Sequence, residues 1–580
     1  MRIFKRTRAV MAGVLFSFGA SVLPLAAASE PAGVASFDWF EYSGNDAVFG
    51  APLPADKYQN PILTGFHPDP SIVRVGEDYY LVNSTFGFYP GLPVYHSRDL
   101  VNWEQIGNAL DRPDMMPFPD FGLGGAGIYA PAIRHRDGVF YILTTCVGCG
   151  GNFIISTRDP SGPWSDPIWL PFIDGIDPSI LFDDDGRTYI VHQRSPENKR
   201  YDAHTAIGIT EVDPVTFAQK SEDVVLVDGG DETPWNTDYI EGPHIYKVNG
   251  EYILSAPGGG TGYYHQQLAF KSKSPMGPYT ANPNNPILTQ FGLDDGRPDP
   301  VTATGHADMV EDTNGQWWAV FLGTRVYDLK TAPQDPGNFH TGRETFMLPV
   351  SWVDGWPVIL EKGKALPYRP DRPKLADAKA SAVPTTGNFT IRDEFDDSKL
   401  ALQWLFARMP KQQWWETGEG ALKIQARNDR FGESGQPSFI GRRMQHLTGT
   451  VTTRMTYSPA VQGDEAGLLA VQNDEYYYAF GRAMNVKGEQ VLRVRKRLGK
   501  DDPTEGKTVA EVPVTKGADG TVYLRIRIDK ARIDFEQSAD GKTFIPVLAN
   551  AESKPLNTAF ASGFVGAVIG MYAETAKDTN

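Results

Sequence analysis

Cysteine is nearly absent: Cys146 and Cys149, in Cys-Val-Gly-Cys, are the only two in 580 residues. A structural zinc site wants four ligands, and a thioredoxin-like redox site wants strands and helices alternating around the pair. Neither pattern surrounds them, so the two either close a small local disulfide or stay as buried thiols. Positive charge is also scarce. With 55 Lys and Arg against 71 Asp and Glu the formal charge is −16, whereas nucleic acid and anionic lipid are held by clustered Lys and Arg. A neutral partner is favoured, and nucleic acid is excluded. Beyond residue 28 no apolar run approaches the roughly 20 residues of a membrane helix, which excludes membrane insertion there.

The one long apolar run is N-terminal. Arg2, Lys5, Arg6 and Arg8 precede an uncharged stretch from Ala9 to Leu25, interrupted by Pro24, and Ala26-Ala27-Ala28 supplies small residues for cleavage. This predicts an export signal over residues 1–28 and a secreted or periplasmic protein. What is abundant is turn formers and rings: 59 Gly, 44 Pro and 12% aromatics, a composition of many short strands joined by tight turns.

One pattern recurs along the first two thirds: DPSIVRVGEDYYLVNST (69–85), APAIRHRDGVFYILTT (130–145), DPSILFDDDGRTYIVHQ (177–193), EGPHIYKVNGEYILSA (241–256) and GHADMVEDTNGQWWAVFLG (305–323). Each reads as a strand, a turn of Asp, Asn and Gly, and an aromatic strand, which is a β-hairpin. A second hairpin fits between copies, as in YHSRDLVNWEQI (95–106) and ISTRDPSGPWSDPIWL (155–170). Four strands per period, five times over, predict a five-bladed β-propeller closed by LPVSWVDGWPVI (348–359). In that fold the residues opening the inner strands converge at one end of the central channel. Here they are Asp69, Ala130, Asp177, Glu241 and His306. Like charges crowded at a channel are costly unless their interaction serves chemistry. Two carboxyls flanking a sugar bond are what glycoside hydrolysis requires, one protonated and one ionised, and a third can hold the acid's proton by repulsion.

The motifs Asn60-Pro-Ile-Leu-Thr-Gly-Phe-His67-Pro-Asp69-Pro-Ser-Ile, Gly175-Ile-Asp177-Pro-Ser, Glu241-Gly-Pro-His, Gly305-His306-Ala-Asp and Gly342-Arg343-Glu344-Thr345 resemble, in that order, the motif series of glycoside hydrolase family 43, the β-xylosidase and α-L-arabinofuranosidase family. The likeness covers about residues 58–368. It implies an inverting, exo-acting hydrolase of neutral xylan- or arabinan-derived oligosaccharides, with Asp69 as general base, Asp177 as pKa modulator and Glu241 as general acid. Inversion would set the base and acid about 6.5–9.5 Å apart, against about 5–5.5 Å for retention. Arg343 matches the family's sugar-binding arginine, His306 a histidine near the channel axis, and Phe86 and Tyr129 the aromatic platforms, with Tyr129 standing where some xylosidases have tryptophan. No cofactor is required; calcium in the channel near His306 stays open, and no metal ligand set is assigned. An endo-arabinanase of the same fold is the enzymatic alternative. A binding propeller would repeat its site in every blade, and these blade starts differ chemically.

Residues 29–57 read as an N-terminal extension and 369–388, rich in Pro, Lys, Ala and Thr, as a linker. From 389 to 580 strict alternation, as in Tyr523-Leu-Arg-Ile-Arg-Ile-Asp, predicts a β-sandwich. It resembles the concanavalin-like domain that follows the propeller in many β-xylosidases of the family. Either it binds polysaccharide or it walls one side of the active site, and the short linker favours the wall. Trp404, Trp414 and Trp415 fit a binding strip or a core equally.

Overall fold

Each of the five repeats forms the inner hairpin of its own antiparallel sheet: Ser71–Val75 with Asp78–Val82, Ala132–Arg136 with Val139–Val147, Ser179–Phe182 with Thr188–Arg194, His244–Val248 with Glu251–Gly258, and Val301–Glu311 with Trp317–Arg325. The computed structural model describes residues 33–229, 237–329 and 337–576; the export signal expected over 1–28 lies outside them. In every one of these hairpins the turn glycine (Gly76, Gly138, Gly186, Gly250 or Gly315) has a positive φ, between 64° and 84°, which only glycine adopts freely. Two outer strands follow in each sheet, as Gly91–Ser97 and Glu104–Leu110 do in the first blade, and the second and fourth sheets gain a fifth short strand, Gly127–Ile128 and Leu288–Thr289.

The inner strands pack side by side around a five-bladed ring. The residues just before the first blade close it: Thr345 and Leu63 exchange backbone hydrogen bonds, and the Asn60 side chain bonds both backbone groups of Met347. The strands expected over 348–359 are the outer pair of the fifth blade, Glu344–Val353 and Trp356–Val358.

The C-terminal domain is two eight-stranded sheets around an apolar core that includes Trp404 and Trp414. Its chain composition differs from the boundaries drawn on sequence. Val34–Gly44, inside the segment read as an extension, is a central strand of one sheet, between Ala421–Gln425 and Thr448–Thr456. Ala35, Phe37, Phe40 and Tyr42 are buried there, and a register shift between Phe37 and Trp39 breaks the simple alternation. Its partners lie almost at the other end of the chain, so no local pattern announces the pairing. The other sheet ends on Phe88–Tyr89, a two-residue strand lent by the first blade, which pairs with Leu405–Ala407. Propeller and sandwich thus share a sheet, and also a core: Phe66, Phe86, Phe88 and Leu123 pack with Phe439, Leu469, Val565 and Tyr572.

The segment 369–388 is tied to the propeller rather than strung free. Arg372 N donates to Asp56 O, Ala378 N to Asp99 Oδ2 and Thr64 N to Thr385 O. Cys146 and Cys149 are joined in a disulfide just after the buried end of Val139–Val147, with their Cα atoms 5.4 Å apart.

Candidate active site

The ring geometry delivers Asp69, Asp177 and His306 to one end of the channel, each in the left-handed region, with φ of 50°, 54° and 51°. Non-glycine residues held there are strained, and such strain gathers at functional sites. Together with Phe86, Tyr129, Ala130, Ile176, Glu241, Thr261, Arg343 and Phe564 they line one cavity of about 340 Å³. Every side chain singled out from sequence as a site residue is in this pocket.

Asp69 is almost fully buried. Ser84 Oγ donates to its Oδ2 at 2.5 Å, and the Arg343 guanidinium reaches both oxygens, Nη1 to Oδ1 at 2.6 Å and Nη2 to Oδ2 at 3.5 Å. An ionised carboxylate, which only accepts, is the form these donors fit. Arg343, expected to reach sugar hydroxyls, is here committed to Asp69 and to the Phe564 carbonyl at 3.3 Å. Its neighbour Glu344 accepts from Gly65 N and from two nitrogens of Arg325, which fixes the strand that carries Arg343.

The other two carboxyls sit in the opposite electrostatic condition. Burial, then the charges of Glu241 and Asp69, push Asp177 well above the usual carboxylate range, and its one backbone donor is Gly242 N at 3.3 Å. Burial, then the Asp69 charge, push Glu241 up to about 7 against the pull of Arg343. One side-chain atom each from Asp177, Glu241 and His306 lies within 4.8 Å of the other two. Around neutrality the site therefore pairs an acceptor carboxylate with carboxyl groups that hold a proton. Burial lowers the His306 pKa, so the ring is neutral, and its Nδ1 stands 3.8 Å from Asp69 Oδ1. Among the described residues Asp177, Glu241 and His306 are the only such group close enough to share a cation. Calcium takes six to eight oxygens, so these two carboxyls would hold it only together with water oxygens.

Two residues past His306 lies a second buried charge cluster. Asp308, fully buried, accepts from both amino nitrogens of Arg134, from Tyr246 Oη at 2.6 Å and from Ser71 Oγ at 2.6 Å. Burial opposes its ionisation, but Arg134 and His244 beside it hold the carboxyl well below its ordinary range. Sequence reasoning quoted Asp308 within a motif without giving it this task.

The aromatic wall departs from expectation in one respect. Phe86 is only 2% exposed, packed against Phe66 and capped by Phe564, whose ring lies 5.7 Å away at 23°. Tyr129 meets both Phe86 and Phe564 edge-on. The open ring is Phe564, 36% exposed, and it belongs to the sandwich. It sits in Ser562-Gly563-Phe564-Val565-Gly566 on a loop whose backbone meets the propeller: Phe564 N donates to Gly124 O and Ala567 N to His340 O. A Cβ on Gly563 would lie 2.3 Å from Gly124 O and one on Gly566 2.5 Å from Thr341 O, so both positions require glycine. Sequence reasoning missed Phe564. The paired glycines were its only signal, and they name no partner.

Residues 58–357 match the model of glycosyl hydrolases family 43, and residues 392–580 that of the β-xylosidase C-terminal concanavalin A-like domain. The chain belongs to glycosyl hydrolase family 43. This family 43 glycosidase is 37% identical over 530 residues to a non-reducing-end α-L-arabinofuranosidase of Bacteroides ovatus, covering 90% of this chain and 92% of that one. It is 33% identical to a xylosidase/arabinosidase of Butyrivibrio fibrisolvens, over 90% and 96% of the two chains. Among solved structures, a GH43_12 protein retrieved from a capybara gut metagenome superposes with a TM-score of 0.84 at 37% identity, covering 93% of this glycosidase and 99% of that chain. A xylan β-1,4-xylosidase from Bacillus halodurans superposes at 0.76 and 29% identity, over 90% and 97%.

Proposed function

We propose that this glycosidase is exported and releases single xylose or arabinose units from the ends of neutral hemicellulose oligosaccharides by a single displacement with inversion. The observation that carries the reading is the division of protonation in one small pocket: Asp69 held as an acceptor by Ser84 and Arg343, and Glu241 pushed up to about 7. Asp69 removes a proton from water as the water oxygen attacks the anomeric carbon. Glu241 gives its proton to the departing glycosidic oxygen, and the anomeric bond to that oxygen breaks. Each turnover leaves Asp69 protonated and Glu241 ionised, and exchange with solvent restores both. Asp177, raised alongside Glu241, keeps a proton in the acid pair and orients it.

The enclosed part of the pocket, about 60 Å³, is smaller than ordinary ligand pockets. With Phe564 closing one side, it supports removal of one terminal sugar over cutting within a chain. The open ring of Phe564 offers an apolar face to a pentose, while Arg343 stays on Asp69 and holds the base. The test is hydrolysis of aryl β-xyloside, aryl α-L-arabinofuranoside and linear arabinan by wild type and Asp69→Ala, with the first-formed anomer followed by NMR. Aryl glycoside cleavage with inverted product, lost in the variant, is expected. Undiminished activity in Asp69→Ala, retained configuration, or preference for internal arabinan bonds would each overturn the corresponding part.

A further inference from the structure

A second cavity lies on the far side of the Asp69 loop, where His67, Tyr95 and Gln105 of the propeller face Ser381–Thr385 and the sandwich residues Arg442, Arg443 and Gln445 around about 770 Å³ of free space. Its unusual feature is cationic. Arg442 and Arg443 are 3% and 5% exposed, and a guanidinium cannot shed its charge to lighten burial. Of the other buried arginines, Arg134, Arg325, Arg343, Arg408 and Arg495 each face a carboxylate, and Arg482 and Arg497 give their amino nitrogens to carbonyl and amide oxygens. Arg442 and Arg443 form no ion pair with an acidic side chain among the described residues.

Arg443 donates through Nε to Phe66 O at 2.6 Å and stands over the Phe66 ring, yet neither of its amino nitrogens has a partner. Its Nη2 is the one guanidinium amino nitrogen among the described residues that is buried with nothing to bond. Arg442 makes one hydrogen bond, Nη2 to Gln445 Oε1 at 2.6 Å, and its Nε is likewise unpartnered. His67 adds no opposing charge: burial and the Arg443 charge lower its pKa, and its ring bonds Thr64 O and Tyr95 Oη. The only acidic residue on the lining, Glu104, is exposed at the rim. A buried cation without an anion is costly, and a buried fork with free N–H groups fits a carboxylate.

We propose that this interdomain cavity binds a carboxylate at Arg443, with Arg442 adding positive potential and Gln105 and Gln445 offering polar contacts. The carboxylate comes from a uronic acid unit of an acidic saccharide or from a free organic acid. The site is separate from the Asp69 pocket and does not depend on the roles proposed there.

Calorimetric titration of the full-length wild type with D-glucuronate, acetate and D-xylose tests it. Glucuronate binding tighter than acetate, with xylose not competing, assigns a uronate. Equal binding of acetate assigns a free organic acid. In either case Arg443→Met should weaken binding about ten-fold or more, and Arg443→Lys, which keeps the charge and loses the fork, less. No binding of either carboxylate, or binding unchanged in Arg443→Met, overturns the proposal. Should Arg443→Met fail to fold, a wild-type crystal soaked in glucuronate decides: density against Arg443 supports the site, and water alone there overturns it.

Discussion

Asp69, Asp177 and His306 show how a repeat becomes a site. Asp69 and Asp177 stand two residues before inner strands, His306 sits inside Val301–Glu311 where the register shifts between Gly305 and Asp308, all three have positive φ, and the cost of that backbone is borne by the surrounding ring. Replacing Asp69 by Ala should lower kcat by about 10²–10⁴-fold, the usual contribution of a positioned base. Glu241 gives two consequences, both set by its raised pKa. As the acid it must be protonated, so kcat should fall as pH rises through about 7. Asp177 keeps its own proton over that range, so Asp177→Asn should leave the limb near 7, where burial and the Asp69 charge set it, and lower kcat by loss of orientation; a limb moved to lower pH would show Asp177 to be ionised there. Stability falls in the same direction. A carboxyl whose pKa is raised in the folded state weakens the fold once pH exceeds its ordinary 4.5, and the loss grows up to the folded value near 7. Glu241→Gln should therefore melt above wild type at pH 8 and with it at pH 4. These residues were legible in the sequence because their register repeats and their chemistry does not: five turns of one kind, opened by Asp, Ala, Asp, Glu and His. Arg343 was legible as a site residue, but not its partner. Whether a guanidinium faces Asp69 or a sugar depends on a side-chain path that no spacing encodes.

The loop from Thr558 to Ala567 carries the sandwich's part in the pocket. Its hydrogen bonds to Phe339, Gly124 and His340 and its glycine contacts with Gly124, Thr341 and Gly342 bring two backbones together with no side chain between them. Phe564→Ala would remove the open ring that faces Phe86, Tyr129 and the Arg343 guanidinium. We expect kcat/KM for aryl glycosides to fall roughly three- to ten-fold, the range of one aromatic contact, with the fold intact by circular dichroism. Gly566→Val should cost more than Phe564→Ala despite touching no substrate, because its Cβ meets the Thr341 carbonyl and the loop must lift with Phe564 on it. The same geometry explains why this element was unreadable in advance. Blade strands declare themselves by alternation and turn glycine, whereas a glycine-flanked aromatic in a distant domain declares only that something comes close.

Propeller and sandwich are one folding unit by construction. The chain enters through the sandwich at Val34–Gly44, builds all five blades, and returns to finish the sheet around that first strand; read from sequence as an extension, the segment carries no local signal of a pairing across some 400 positions. Just after the strand, Asp46 accepts from Leu447 N and Thr448 N and from Arg325 Nη1, while Arg325 also holds Glu344 and the Gln445 carbonyl. One fully buried guanidinium therefore ties the N-terminal segment, the fifth blade and the sandwich together. Removing it leaves two buried carboxylates uncompensated, so Arg325→Met should destabilise by about 3–5 kcal/mol and, through Glu344, loosen Arg343. Chains beginning at residue 29 and at residue 45 make the sharper comparison. The longer keeps the central strand; the shorter leaves Ala421–Gln425 and Thr448–Thr456 as two facing edges with open backbone groups and uncovers the core that Phe37, Phe40 and Tyr42 fill. Exposed edges of that kind pair with other chains. The longer chain should be soluble and active, and the shorter should aggregate although every residue of the propeller is present; a soluble, active protein from residue 45 would show that the blades stand without the sandwich.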